Sequence, residues 1–429
     1  MKVLRSVLVL ALVLGFVGGV AASPKSTAAQ DTVTINWWHI QTIDTQVAFW
    51  EEVVAEYEAA HPNVNIEMTG LENEAFKSQI VTVMQAGDPP DLFQSWGGGV
   101  LWQYADAGMV RNIAPELEGE WYDSFAVPAA VEMFGRDGEY YGVPWTWGAV
   151  GFFYNKALLA QVGYDTFPTT WTDFLACVQA LKDAGITPIA LGEGDRWPGH
   201  FWWVYLATRL GGQDAFVNAY TREGTFADEP FVKAGEYLQQ LAELEPFQEG
   251  FMSATYGDEA GLVGDGQAAM ELMGQWAAAT QVDNSEQGGI GEDLAFAPFP
   301  MIEEGAGDPT DILGGGDGYA VGANAPDETI DFLRYITSED VQRRGAAIGF
   351  IVPTVKNAAD ELVAADPIMA QIIEMRDSAN YAQLYYDQFL PASVAQAVLD
   401  SVQGLLAGEI SPEEAAQYIE DEAAFALES

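Results

Sequence analysis

The sequence predicts an α/β protein of two lobes. Three observations carry that expectation. Stretches of alternating apolar residues take turns with stretches of apolar residues at helical spacing, the pattern of a parallel sheet covered by helices. The 429 residues exceed one ordinary core, and two domains is the natural division. The strand–helix pattern restarts near Tyr141–Trp145 and turns back near Leu313–Val321, so the chain crosses between lobes more than once.

The elements follow in order. Lys2 and Arg5 precede an apolar run from Val7 to Val20, shorter than the ~20 residues a spanning helix needs. Small residues follow, so residues 1–30 read as a secretory signal peptide and leader, cleaved after Ala22 or Ala29. Val33, Ile35 and Trp37 alternate and predict a strand over 32–37. Trp50, Val53, Val54 and Tyr57 recur at helical spacing until Pro62. Val64, Ile66 and Met68 alternate again, and Phe76, Ile80, Val83 and Met84 form the next helical stripe.

Gly87-Asp88-Pro89-Pro90 stops that helix, because proline lacks the N–H to continue it and disfavours helix in the residue before. Asp91–Ser95 then reads as a strand. Trp96 follows at its carboxyl end, and Gly97-Gly98-Gly99 lets the backbone turn into another helix. Ligands of open α/β sheets sit at the carboxyl ends of the strands.

The second region has strands at Ala149–Tyr154, Pro188–Leu191, Gln267–Met273 and Leu294–Phe299. A helix runs from an N-cap at Thr170 to a C-cap at Gly185, and another covers Phe201–Leu210. Gln275-Trp276 opens a further helix. Glu303–Gly316 reads as an acidic, glycine-rich surface loop, and beyond Val321 the chain is almost wholly helical.

Composition is globular, with 49% hydrophobic and 19% charged residues. The formal charge of −47 argues against nucleic acid and anionic membranes, which want basic patches. Cys177 is the single cysteine, so no intramolecular disulfide forms. It sits in an amphipathic helix, as a buried apolar residue would. No cysteine follows the signal run to carry a lipid.

Tryptophan is the loudest chemical signal. Of 13 tryptophans, Trp38, Trp96, Trp147, Trp197 and Trp276 fall after strands or in glycine-flanked loops, which separates them from Trp50, Trp121 and Trp171 within apolar patterns. Indole faces match the C–H patches of a sugar ring, while carboxylates, amides and imidazoles take its hydroxyls. Such partners stand nearby: His39 and Gln41 beside Trp38, Asp195 and His200 beside Trp197, Gln275 beside Trp276, and Glu74 on the facing helix. Core packing is the competing reading for each tryptophan alone. Gly314-Gly315-Gly316-Asp317-Gly318-Tyr319 permits close backbone approach and puts Asp317 at a lobe junction.

Other chemistries find no support. His39, His61 and His200 show no metal-ligand spacing. Asp308 and Asp311 lack calcium-loop order and read as solvated. Gly-x-Ser-x-Gly and GxxxxGK[ST] are both absent. No cofactor or metal is expected.

The segment Ala86–Asp91, with Tyr141-Gly-Val-Pro-Trp145, Gly151-Phe-Phe-Tyr-Asn-Lys156, Pro168-Thr-Thr-Trp-Thr-Asp-Phe174 and Gly274-Gln-Trp276, resembles the family 1 extracellular solute-binding proteins that feed sugars to ABC transporters. Arg196-Trp-Pro-Gly-His-Phe-Trp202, Arg209-Leu-Gly-Gly212 and Gly314–Val321 look like the branch that binds xylobiose-type oligosaccharides. The resemblance implies a two-lobed periplasmic-binding-protein (type II) fold that closes on a sugar by hinge bending. It places the N-lobe over 31–143 and 314–365, the latter with the hinge, and the C-lobe over 144–313 and 366–429. Trp38, His39, Glu74 and Trp96 would line one wall. Trp147, Trp197, His200 and Trp276 would line the other, with Asp317 reaching in from the hinge. It implies a monomeric, periplasmic or secreted partner of a membrane permease. The competing function is a secreted glycoside hydrolase, which needs two carboxyl groups roughly 5–9.5 Å apart across a bond. An adhesin or scaffold would show repeats or an anchoring tail.

Overall fold

The computed structural model describes residues 32–427. The signal and leader read over 1–30 lies outside them. Three larger sheets organise the described residues, beside a two-stranded hairpin of Gly135–Arg136 and Glu139–Tyr140. The first runs in the order Val64–Gly70, Val33–His39, Leu92–Ser95, Gly318–Val321, Gly142–Pro144. Its first three strands are parallel, and Gly318–Val321 lies antiparallel to both its neighbours. The second runs Leu294–Ala297, Gly151–Asn155, Ala268–Met273, Thr187–Ile189. A smaller third sheet pairs Ile312–Gly315 with Ala382–Leu384 on one side and Gly148–Ala149 on the other.

The path between lobes follows from these pairings. The chain leaves the first sheet after Pro144, joins the third at Gly148, and returns between Gly315 and Gly318. The outward and returning crossings are tied together. The Asp317 carbonyl accepts hydrogen bonds from the backbone N–H of Trp145 (2.7 Å) and Thr146 (3.0 Å). Near those crossings, Thr146 Oγ1 donates to the Val352 carbonyl (3.1 Å), which draws in a third segment.

The first sheet is covered on both faces. Ile35 and Trp37 point toward the Asp44–Ala60 helix, where Trp37 meets Trp50 edge-on at 4.8 Å and Trp50 lies 4.7 Å from Trp145. Trp38 belongs to the opposite face, packed with Phe76, Ile80 and Phe93. Across the molecule, the Trp197–Tyr220 helix is buried continuously from Trp197 to Leu210 and kinks at Gly212 (φ 61°, ψ −167°). The helix Ala392–Leu406 packs on it and on Glu229–Ala242, and Pro412–Leu427 packs on Ala392–Leu406 and Glu229–Ala242. Cys177 is fully buried and packs in this lobe's core.

Two sequence expectations need correction. Ile312–Gly315 is a buried strand, not surface loop, because its glycine-rich backbone lies directly against Gly148 and Ala149. Asp311 is likewise buried, at 2% exposure. Its carboxylate accepts from the Asp308 N–H (3.0 Å) and Asn380 Nδ2 (3.2 Å), and its carbonyl accepts from Arg209 Nη1 (2.6 Å). The helical C-terminal region also contains the short strand Ala382–Leu384. Among the described residues no helix is long and apolar enough to cross a membrane.

Candidate ligand-binding site

A cleft of about 540 Å³ opens between the two main sheets. Its first wall follows the carboxyl end of Val33–His39 and the start of the Asn73–Ala86 helix. It presents Gln41, Glu72, Glu74, Lys77 and Trp96. The helix begins where the Glu72 carboxylate accepts from the N–H of Glu74 (3.0 Å) and Ala75 (3.3 Å), which aims its first turn at the cleft. Trp96 sits where the backbone turns at Gly97 (φ 71°) and Gly98 (φ 65°), a conformation that costs glycine least. A Cβ on Gly98 would lie 2.8 Å from Phe389 Cα, so the close packing there also requires glycine.

Lys77 is the basic residue of this wall. Its Nζ lies 3.1 Å from Glu74 Oε1, 5.7 Å from the Trp96 ring and 5.9 Å from the Trp197 ring on the opposite wall. Two indoles and a carboxylate thus hold one ammonium.

The second wall is aromatic. Trp197 meets Tyr256 edge-on at 5.0 Å and Trp276 at 6.2 Å, while Tyr385 lies 5.3 Å from Phe201 and 6.5 Å from Trp276. Trp276 follows the Ala268–Met273 strand and opens the Ala277–Asn284 helix. A Cβ on Gly274 would stand 2.3 Å from its ring, so glycine there lets the indole fold back over the chain. Gln275 and Tyr385 line the cleft and carry buried polar atoms with no hydrogen-bond partner. Unpaired buried polar atoms need explaining, and sugar hydroxyls suit these two.

Asp317 reaches the cleft from the returning crossing, and burial pushes its carboxyl up to about 7. Burial also raises Glu74 and Asp195 above the ordinary carboxylate range. Behind the aromatic wall lie three more carboxyl groups, Glu193, Glu259 and Glu271, each at most 1% exposed. Glu259 accepts from the Gly192 N–H (2.7 Å) and Glu271 from Gln281 Nε2 (2.5 Å). Burial drives all three upward.

Of the residues singled out from sequence, Glu74, Trp96, Trp197, Trp276 and Asp317 meet in this cleft. Trp38, His39, Trp147 and His200 lie off its surface. The first strand continues to His39, so Trp38 points into the sheet's covered face and His39 is buried beside Trp37. Desolvation lowers the His39 pKa to about 4, which keeps its ring neutral. Trp147 packs in a core cluster with Tyr141 and Phe134, while Trp145 and Thr146 line the cleft. His200 is fully buried one turn inside its helix, with Nδ1 2.5 Å from the Trp197 carbonyl oxygen and Nε2 3.4 Å from the cleft residue Asp387. Lys77, Tyr256, Tyr385 and Asp387 had not been singled out. Lys77 stands three residues after Glu74, on the same helix face. Tyr256 follows Thr255, whose capping box with Asp258 is readable as a helix start.

Residues 42–343 match the bacterial extracellular solute-binding protein family. The chain belongs to this family. Among solved structures, one from work on xylan utilization by the thermophilic bacterium Caldanaerobius polysaccharolyticus superposes with a TM-score of 0.85 at 28% identity, covering 91% of this chain and 99% of that one. A chitin oligosaccharide binding protein superposes with a TM-score of 0.84 at 27% identity, covering 93% and 100%. An uncharacterized ABC transporter extracellular-binding protein of Pyrococcus horikoshii is 26% identical over 61% of this chain, and the match spans 60% of that relative's length. The solute-binding protein therefore has a two-lobed α/β fold. Among its described residues, no group of three or more His, Cys, Asp or Glu could hold a metal ion.

Proposed function

We propose that this solute-binding protein captures a di- or oligosaccharide, xylobiose-like in type, and delivers it to the permease of an ABC transporter. One observation carries the reading: across a single cleft, the rings of Trp197, Tyr256 and Trp276 face the polar groups of Gln41, Glu74 and Lys77. Rings take the apolar faces of pyranoses and the polar wall takes the hydroxyls. Trp96, Trp197 and Trp276 supply stacking, and Glu74 and Asp317 accept hydroxyl protons. His200 acts from behind, through Asp387. The two crossings joined at Asp317 serve as the hinge, and the sugar favours the closed arrangement because both walls contact it only there. The lobes are divided at 143, 313 and 365. The chain works as a monomer, periplasmic or secreted after removal of its leader, and breaks no bond.

The test is titration calorimetry of residues 31–429 against xylo-, cello-, malto- and chito-oligosaccharides, with the recovered sugar checked for length. Saturable binding of intact sugar is the expected result. Shortened sugar would turn the reading to a glycoside hydrolase. Silence across the panel would point to non-sugar solutes.

A further inference from the structure

Six carboxylates line the cleft: Glu72, Glu74, Asp195, Asp283, Asp317 and Asp387. Among the described lining residues Lys77 is the one basic side chain. Its ammonium is already taken, held 3.1 Å from Glu74 Oε1 and set between the rings of Trp96 and Trp197. Tyr385 adds an independent sign that the cleft is built for a ligand. It is 4% exposed, its hydroxyl has no partner, and burial raises its phenol, with the charges of Asp317 and Asp387 pushing the same way.

Building on the proposed saccharide function, we infer that the cleft selects sugars by charge, taking neutral oligosaccharides and rejecting those that carry a uronate. A neutral sugar brings hydroxyl donors, and the carboxylate wall supplies acceptors, a charge-assisted match. A uronate carboxylate accepts only, so it finds no donor among those of the six groups that are ionised, and Asp317, held up to about 7 by burial, offers one only in its protonated form. To pair with Lys77 it must strip that ammonium from Glu74 and leave a half-buried carboxylate alone. Desolvation already holds Glu74, Asp195 and Asp317 above their ordinary values, and each further negative charge pushes the same way. The discrimination is local. A repulsion from the overall charge of −47 would be screened at physiological salt, whereas one inside the cleft persists.

The experiment uses the full mature chain at about 0.15 M salt. The best neutral ligand of the calorimetric panel is compared with the same sugar bearing one glucuronate, and with the methyl ester of that glucuronate. The expected result is a loss of at least about tenfold in affinity for the acid, with the ester within about threefold of the neutral sugar. Equal affinity for acid and neutral sugar overturns the inference. An equal loss for acid and ester overturns it too, since bulk would then do the excluding. If no neutral sugar binds, the saccharide reading itself falls, and this one with it.

Two variants locate the effect through the neutral-to-acid affinity ratio, which a general loss of binding leaves unmoved. Glu74→Gln frees the Lys77 ammonium and should narrow the ratio by about threefold or more. Lys77→Met should widen it by a similar factor. A ratio unchanged in both, with melting curves confirming the fold, removes this ion pair as its origin.

Discussion

The two walls of the cleft invert each other. On the first, charge stands in front and aromatic packing lies behind: Glu72, Glu74 and Lys77 face the cleft, while Trp37 and Trp50 are fully buried. On the second, rings dominate the front, with Asp195, Asp283 and Asp387 among them, and a sealed carboxyl layer lies behind: Trp197, Tyr256 and Trp276 face the cleft, while Glu193, Glu259 and Glu271 are buried beneath them. The buried layers differ in kind, aromatic behind the first wall and acidic behind the second, although Trp96 faces the cleft on the first and three aspartates do so on the second. Residue type alone therefore does not tell ligand wall from support. What decides is whether a residue precedes or follows the end of its strand, and which face of the strand or helix it leaves from.

The largest expected effect tests the buried layer of the first wall. Trp50→Ala removes a fully buried indole packed on Trp37 and Trp145, and should cost about 3–5 kcal/mol of stability by chemical denaturation. The folded fraction should keep its sugar affinity. An affinity loss without a stability loss would put Trp50 in front and break the inversion. Trp276→Ala is the counterpart on the second wall. Trp276 is half-buried and lines the cleft, so its truncation should cost roughly 1–3 kcal/mol of binding, taking base–aromatic stacking as the guide. Its melting temperature should shift little. If stability collapses and affinity stays, Trp276 is support.

These inversions explain what the sequence made legible. The break at Gly87-Asp88-Pro89-Pro90, the tryptophan at the end of Leu92–Ser95 and the cap at Thr170 are local chemistry, and they appear where backbone rules put them. Thr170 Oγ1 does accept from the Asp173 N–H, at 3.2 Å. The sequence reading of the cleft differs from the structure by one to four residues, and these shifts matter. The first strand runs to His39 rather than ending at Trp37, which moves the start of the cleft from Trp38 to Ile40. On the crossing, Trp147 turns into the core and Trp145 and Thr146 line the floor. The Trp197–Tyr220 helix begins four residues before its apolar run suggests, which draws His200 inside it. Tyr385 was out of reach for a different reason. It is placed by the three-residue strand Ala382–Leu384, whose pairing with Ile312–Gly315 joins segments about seventy residues apart and leaves no local period.

The smallest effect tests the carboxyl layer beneath the second wall. Glu259 and Glu271 lie together in a fully buried site; desolvation raises both above the ordinary range, and the Glu271 charge pushes Glu259 further in the same direction. The native state then binds more protons than the unfolded chain. Their stabilising contribution is complete below the ordinary carboxylate range and is lost as pH rises through the raised native values. Stability should therefore fall between about pH 5 and about pH 8, a direction opposite to that of carboxylates held low by ion pairs, such as Glu56 beside Arg344. Asp317, raised to about 7, has the same sign. Glu271→Gln removes one buried charge, and its amide can still accept from Gln281 while donating to Glu259. Thermal unfolding of the variant should gain on the parent at the higher pH more than at the lower, flattening the profile while the Asp317 part remains. A variant with an unchanged profile would mean that the layer behind the rings carries no strained charge, and the inversion would reduce to one of shape.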